Sequence, residues 1–347
     1  PDLPKPFKRY QVAPVWRAEK PGQGRFREFV QCDVDIVGTA SLAADAECVQ
    51  VDSAVMDALG VPDVQIRVNN RRILEGLSTL AGGADANRMK AVFRAIDKLD
   101  KQGPDTVREL LVSQDGLTPD QAARVLAFVS ITGSNAERLA QARELMAGVE
   151  TAQKGLDELQ TVLDLAAAGG VPADRVQVDL SIARGLDYYT GTVFETFLLG
   201  LPGFGSVMSG GRYDGLISLF IGKDMPAVGI SVGLDRLLAG LIELKRVEAP
   251  KSVVEVYVAV FDEETRPAAL ALAARLRAAG LRVEVSYEAG KIGKQFKHAD
   301  RLGARVALVI GPEELAQNAV ALKDLRAGAQ AVVPLDGIEA KVRQALC

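Results

Sequence analysis

RAEKPGQGRFREFVQCDVDIVG, residues 17–38, decides the fold of the first part of the chain. Phe29 to Ile36 alternates apolar and polar side chains, the period-two pattern of a half-buried antiparallel strand. Pro21, Gly22 and Gly24 ahead of it are turn formers. Arg17 and Arg25 or Arg27 are therefore predicted on facing sides of a hairpin. Arg17 and Glu19 stand two apart, on one face of the incoming strand. Guanidinium groups suit phosphate because their planar fork donates two parallel hydrogen bonds. A solvated charged edge is the plainer reading of the same residues.

Outward from this hairpin, Leu42 to Leu59 has helical spacing and stops at Gly60. Residues 84–168 read as a helical insertion. Thr118-Pro119-Asp120-Gln121 and Ser134-Asn135-Ala136-Glu137 are capping-box starts within it, and nothing in that block looks like chemistry. Strands return after Gly169-Gly170, over Val176 to Ile182 and Thr192 to Leu198. Gly229 to Leu241 opens on Gly-X-X-X-Gly and becomes an apolar helix. Beyond Pro250, the strand Val253 to Phe261 precedes a helix capped by Asp262 and ended by Gly280. Strand Leu281 to Val285, a helix ending at Gly303 and strand Arg305 to Ile310 complete βαβ units, hence a parallel or mixed sheet. The expected divisions are 1–83, 84–168, 169–249 and 250–347. The fold class is α/β: an α+β domain with an antiparallel sheet and a helical insertion, then a separate α/β domain of ordinary size.

Bulk properties exclude several classes. With 48% hydrophobic and 25% charged residues, the chain of 347 residues is an ordinary globular protein. It has no run of about 18 apolar residues, so no transmembrane helix is expected. Cys32, Cys48 and Cys347 form no CxxC pair, and His298 is the only histidine. No metal site built from protein side chains is expected, and reduced thiols point to the cytoplasm. The net charge of −4 is silent on nucleic acid, because a local Lys/Arg stripe is enough to bind it.

Three further segments carry candidate chemistry. Arg184-Gly185-Leu186-Asp187-Tyr188-Tyr189-Thr190-Gly191 sets an arginine and paired tyrosines between glycines. The tyrosines can wall a small pocket while their hydroxyls hold a polar ligand, or simply be core aromatics. Ser209-Gly210-Gly211-Arg212-Tyr213-Asp214-Gly215 is glycine-rich but lacks the Lys-Ser/Thr of a P-loop. Gly229-Ile230-Ser231-Val232-Gly233-Leu234-Asp235-Arg236 puts Arg236 on a helix with a glycine-rich first turn, reaching a triphosphate or pairing with Asp235 or Glu243. Arg17, Arg25, Arg184 and Arg236, without a His, Cys or Ser constellation, point to electrostatic stabilisation of a phosphate group.

Taken in order, these blocks resemble the histidyl-tRNA synthetases, a family of class II aminoacyl-tRNA synthetases. YQVAPVWRAEKPGQGRFREFVQCDVDIVG is similar to the family's motif 2, and SGGRYDGL to its second histidine-specific segment. PAVGISVGLDRL is similar to motif 3, and RGLDYYTGTVFE to the histidine-specific box that other class II synthetases lack. KIGKQFKHADRLGARVALVIGPEE resembles the C-terminal anticodon-binding domain.

The resemblance implies a ligase that activates histidine with ATP and Mg²⁺ and passes it to tRNA(His). It implies Arg17 on the α-phosphate, Glu19 near adenine, Arg25 and Arg236 on the γ-phosphate, and Arg184 as a catalytic arginine on the α-phosphate. Gln31, Asp35, Tyr188, Tyr189 and Gly210 would form the histidine site. The family's motif 1, which builds a homodimer interface, and its Thr-X-Glu segment precede motif 2 and are expected upstream of this sequence. Two rival readings explain less. One is a non-catalytic relative, either an ATP phosphoribosyltransferase regulatory subunit or a sensor of uncharged tRNA. The other is a generic nucleotide-binding α/β protein.

Overall fold

A computed structural model describes residues 3–346, except 19, 23, 84, 97, 183–187 and 248–250, and only the backbone of 86, 87, 100 and 101. Two compact units divide the chain, Pro1–Val247 and Glu248–Cys347.

In the first unit β1 (Phe7–Trp16) and β2 (Glu28–Val37) form the predicted hairpin, paired from Phe7 opposite Val37 to Trp16 opposite Glu28. β1 is the sheet's edge, which is why Pro14 is tolerated in it. Helix α1 (Leu42–Ala58) starts at Ser41, whose hydroxyl accepts from the Ala43 N–H. Strand β3 (Val64–Asn70) leads into α2 (Arg71–Leu80), capped by the Asn70 side chain.

The insertion follows as α3 (Ala86–Ile96), α4 (Leu99–Ser113), α5 (Pro119–Val129), α6 (Asn135–Leu145) and α7 (Glu150–Ala168). Both capping boxes form, at Thr118 with Gln121 and at Ser134 with Glu137. In α4 the backbone breaks at Gly103 (φ 80°) just before Pro104, which cannot donate into the helix. Ile73, Leu77, Val92, Ile96, Leu111, Phe128, Leu156 and Leu159 share one buried cluster with Val68 of β3. The insertion is thus fastened to the sheet by a common core.

The chain then adds β4 (Val176–Val178), β5 (Thr192–Leu198), β6 (Met208–Arg212), α8 (Ser218–Ile221), β7 (Ala227–Gly233) and α9 (Leu234–Glu243). The sheet order is β1-β2-β7-β6-β5-β3-β4, antiparallel throughout except for the β3/β4 pair. Two expectations are corrected here. β4 ends at Val178 rather than Ile182, because Asp179 turns the chain by accepting the Ser181 N–H at 3.0 Å. Gly229 lies inside β7, between β2 and β6, so only Gly233 stands at the start of α9.

The second unit contains β8 (Val256–Val260), α10 (Arg266–Ala278), β9 (Val283–Val285), α11 (Ile292–Leu302), β10 (Val306–Ile310), α12 (Pro312–Ala316), β11 (Ala319–Asp324), β12 (Gln330–Pro334) and α13 (Ile338–Leu346). β9, β8 and β10 are parallel, and β11 and β12 extend the sheet antiparallel. The sheet is mixed. Asp262 does not cap α10: Thr265 stands at the N-cap position without a side-chain capping bond, and Asp262 closes the turn before it by accepting the Thr265 N–H at 2.8 Å. Among the described residues, no helix is long and apolar enough to cross a membrane.

Candidate active site

The hairpin tip is built by backbone hydrogen bonds. The Arg17 N–H donates to the Arg27 carbonyl at 2.9 Å, and Gly22 and Arg25 exchange bonds of 3.1 and 3.0 Å. Gly24 has φ +63°, and a Cβ there would press within 2.8 Å of the Phe204 ring. The Arg17 guanidinium lies over the Phe29 ring at 5.1 Å, just past the end of β1 rather than on it. Glu19, expected beside it, lies outside the described residues.

From the opposite side comes the first turn of α9. Arg236 donates to the Phe204 carbonyl, and its guanidinium lies over that ring at 5.5 Å. Asp235 turns away and accepts the Val30 N–H at 2.6 Å. Arg17, Arg25 and Arg236 thereby line one cleft of about 1120 Å³. Three guanidinium groups around an open cleft create a positive potential suited to a polyphosphate.

A smaller pocket of about 270 Å³ adjoins it, sharing Gln31, Tyr188, Tyr189, Ser209, Gly210 and Ser231 as walls. Gln31, Asp33 and Asp35 alternate along β2 and all face this pocket. Gly210 has no room for a side chain, since a Cβ would run into the Gly229 carbonyl of the paired strand. Tyr188 and Tyr189 pack edge to face at 4.8 Å, and Tyr188 meets Tyr213 in the same manner at 6.0 Å. Burial, reinforced by Tyr188, pushes the Tyr189 hydroxyl well above the usual phenol range, so it stays protonated. The Tyr213 hydroxyl donates to Asp35, and the Ser231 hydroxyl to Asp33.

The structure therefore brings together Arg17, Arg25, Arg236, Gln31, Tyr188, Tyr189 and Gly210 around the larger cleft, and Asp35 with the tyrosines around the smaller pocket. Arg184 lies outside the described residues. Sequence reasoning missed the contribution of the insertion. Lys90, Phe93, Arg94 and Lys98, with Arg71 of α2, also line the larger cleft, and the Arg71 guanidinium lies over Phe93 at 5.2 Å. The view that nothing in the insertion looks like chemistry is corrected by this placement. The i, i+4 pair Lys90 and Arg94 was visible as a helix-face signal, but its direction was not. Tyr213 and Arg9 of the smaller pocket were also missed.

An antiparallel sheet bearing an arginine-lined cleft and a small adjoining pocket, followed by a mixed α/β unit, is the combination of a class II aminoacyl-tRNA synthetase. The family model described as histidyl-tRNA synthetase matches residues 3–237, and that of an anticodon binding domain matches residues 255–345. The chain belongs to the histidyl-tRNA synthetase family. It is 47% identical to a histidine–tRNA ligase of Rhodopirellula baltica, over 92% of this chain and 72% of that one. The crystal structure of a histidyl-tRNA synthetase from Nostoc sp. PCC 7120 superposes with a TM-score of 0.75 at 37% identity, covering 99% of this chain and 79% of that one. A Bacillus halodurans structure described as an ATP phosphoribosyltransferase regulatory subunit/histidyl-tRNA synthetase aligns at TM-score 0.61 and 24% identity, over 86% of this chain and 73% of that one. That likeness is one of fold alone.

Proposed function

We infer that the protein is a histidine–tRNA ligase that forms histidyl-adenylate from histidine and ATP and transfers the histidyl group to the 3′ end of tRNA(His). The observation that carries this reading is the continuity of two unlike cavities through Tyr188 and Tyr189. The cationic cleft suits a triphosphate. The small pocket, lined by the carboxylates of Asp33 and Asp35 and by half-buried phenols, suits an imidazole whose two ring nitrogens need a donor and an acceptor.

In the first step the histidine carboxylate oxygen attacks the α-phosphorus in line, and pyrophosphate leaves. Arg17 is assigned to the α-phosphate, Arg25 and Arg236 to the γ-phosphate end, and Glu19 to the adenine side. Arg184 is assigned to the charge developing on the α-phosphate. Gln31, Asp35, Tyr188, Tyr189 and the side-chain-free backbone at Gly210 hold the amino acid. In the second step a terminal ribose hydroxyl of tRNA attacks the adenylate carbonyl, and AMP leaves.

Among the described residues, no three His, Cys, Asp or Glu side chains gather as a metal site, and Glu195 is the one acidic side chain lining the larger cleft. Mg²⁺ is assigned to the nucleotide, whose phosphates would be its ligands and whose charge it would offset. A homodimer formed with the family's upstream motif 1 region and a cytoplasmic location complete the proposal. The regulatory-subunit reading gains no support from a likeness confined to fold.

The decisive experiment is histidine-dependent ATP–pyrophosphate exchange by the full-length protein, followed by charging of tRNA(His). Exchange specific to histidine is expected. No exchange across a range of magnesium concentration and pH would overturn the assignment.

A further inference from the structure

The stretch of chain that carries Arg184 leaves the sheet after β4 and rejoins it at β5, and both of its ends are tied to the end of β3. At the exit, the Arg71 N–H donates to the Gly191 carbonyl at 2.7 Å. That bond continues the β3/β5 ladder by one step, since Asn70 stands opposite Thr192. The entry is built differently. β4 pairs with β3 as far as Val178, and the Asp179 N–H adds one more bond, to the Val68 carbonyl at 2.9 Å. Asp179 then turns the chain, and the Ile182 N–H comes back to the Asp179 carbonyl at 3.2 Å.

At this end a side chain does what the ladder does at the other. Asn69 Nδ2 donates to the Ile182 carbonyl at 3.1 Å. Asn69 is wholly buried and borders neither cavity, whereas Ile182 lines the larger cleft. The Asn69 Oδ1 accepts the Asn70 N–H at 2.8 Å, which fixes the amide and leaves Nδ2 facing Ile182. The corner itself is fastened to the insertion. Asn70 Nδ2 donates to Glu158 Oε2 of α7 at 2.9 Å, and Arg72 Nε to the same oxygen at 3.2 Å. An amide buried among Val68, Ile73 and their neighbours costs stability unless it is hydrogen-bonded. The residue type at position 69 is therefore explained by the carbonyl it holds, not by packing.

We propose that Asn69 is a positioning residue for adenylate formation: its amide holds the Ile182 carbonyl and so fixes where the chain sets out toward Arg184. The proposal rests on the assignment of Arg184 to the α-phosphate. A donor stabilises developing charge without reorganisation only when the backbone that bears it is already in place. The exit at Gly191, beyond the two tyrosines, depends on the ladder and not on Asn69.

The test is Asn69→Asp in the full-length protein, which keeps the acceptor for the Asn70 N–H and replaces the donor to Ile182 with an oxygen. The kcat of histidine-dependent pyrophosphate exchange is expected to fall by about tenfold to a hundredfold, the scale of a small misplacement of a reacting group. The ATP KM and the histidine Kd by calorimetry are expected to stay within about threefold. Asn69→Ala, which adds no charge, is expected to show the same split. A double-mutant cycle with Arg184→Ala separates positioning from general packing. If Asn69 acts through Arg184, adding Asn69→Asp to Arg184→Ala lowers kcat by less than about twofold more. An unchanged kcat in a folded variant, or a loss that multiplies in full in the Arg184→Ala background, would overturn the proposal. So would loss of the fold in both Asn69 variants, which would make the amide a part of the core alone. Absence of exchange in the unaltered protein would instead sink the functional reading on which the proposal stands.

Discussion

The Val30 backbone N–H donates to the Asp235 carboxylate at 2.6 Å, joining β2 to the first turn of α9 across 205 positions of sequence. Asp235 is thus the latch that sets the next residue, Arg236, opposite Arg17 and Arg25 at the mouth of the cleft. A carboxylate in the first turn of a helix also interacts favourably with its N-terminal dipole. Asp235→Ala is expected to destabilise the protein by about 1–3 kcal/mol and to raise the ATP KM of exchange more than the histidine KM. Urea denaturation and exchange kinetics check this. Equal effects on both substrates would place the latch elsewhere.

Arg17 lines the larger cleft and is absent from the smaller pocket. Arg17→Ala is therefore expected to lower kcat of pyrophosphate exchange by about 10²-fold or more, the scale for losing a preorganised charge donor, while histidine binding is kept. Calorimetry with histidine alone and exchange kinetics make the distinction. A variant that no longer binds histidine would contradict the separation of the two cavities.

Local chemistry made much of this legible in the sequence. The β1/β2 hairpin follows from its turn residues and the alternation of Phe29 to Ile36, and the caps at Thr118 and Ser134 act within four residues of themselves. Gly229 was misleading because Gly-X-X-X-Gly resembles a helix start, whereas β2 and β6 pair with it on both sides and hold it extended. The direction in which α3 faces was not legible at all. It depends on which of its residues the shared core takes in, here Met89, Val92, Ala95 and Ile96, a matter of tertiary contacts and not of period. Tyr213 was hidden for a similar reason, since its partner Asp35 lies 178 positions away.

Lys90 and Arg94 occupy one face of α3 and line the larger cleft, to which the proposed function brings a tRNA 3′ end. Replacing both with Ala is expected to leave pyrophosphate exchange nearly intact and to raise the tRNA KM of charging. If each contacts one phosphate of the single-stranded end, the slope of log affinity against log salt falls in magnitude by about 1.4. Filter binding across a salt series measures it. An unchanged slope would remove these residues from the tRNA path.

Two buried carboxylates lie two turns apart on α1, and their environments differ. Asp45 is paired with Arg212, whereas Asp52 accepts one bond of 3.2 Å from the Thr196 hydroxyl, and its Oδ1 is buried without a hydrogen-bond partner. Burial pushes the Asp52 pKa from 3.8 up to about 7. The folded protein then holds this proton more tightly than the unfolded chain does, so stability falls as pH rises from about 4 to about 7. Above that range the cost is complete, at about 4 kcal/mol for this single group. Asp52→Asn keeps the shape and the contact with Thr196 but cannot ionise. Its melting temperature is expected to exceed that of the unaltered protein by several degrees at pH 8.5 and to lose that advantage by pH 5. Melting curves at both pH values decide the matter, and a difference independent of pH would show that Asp52 is not the group that titrates.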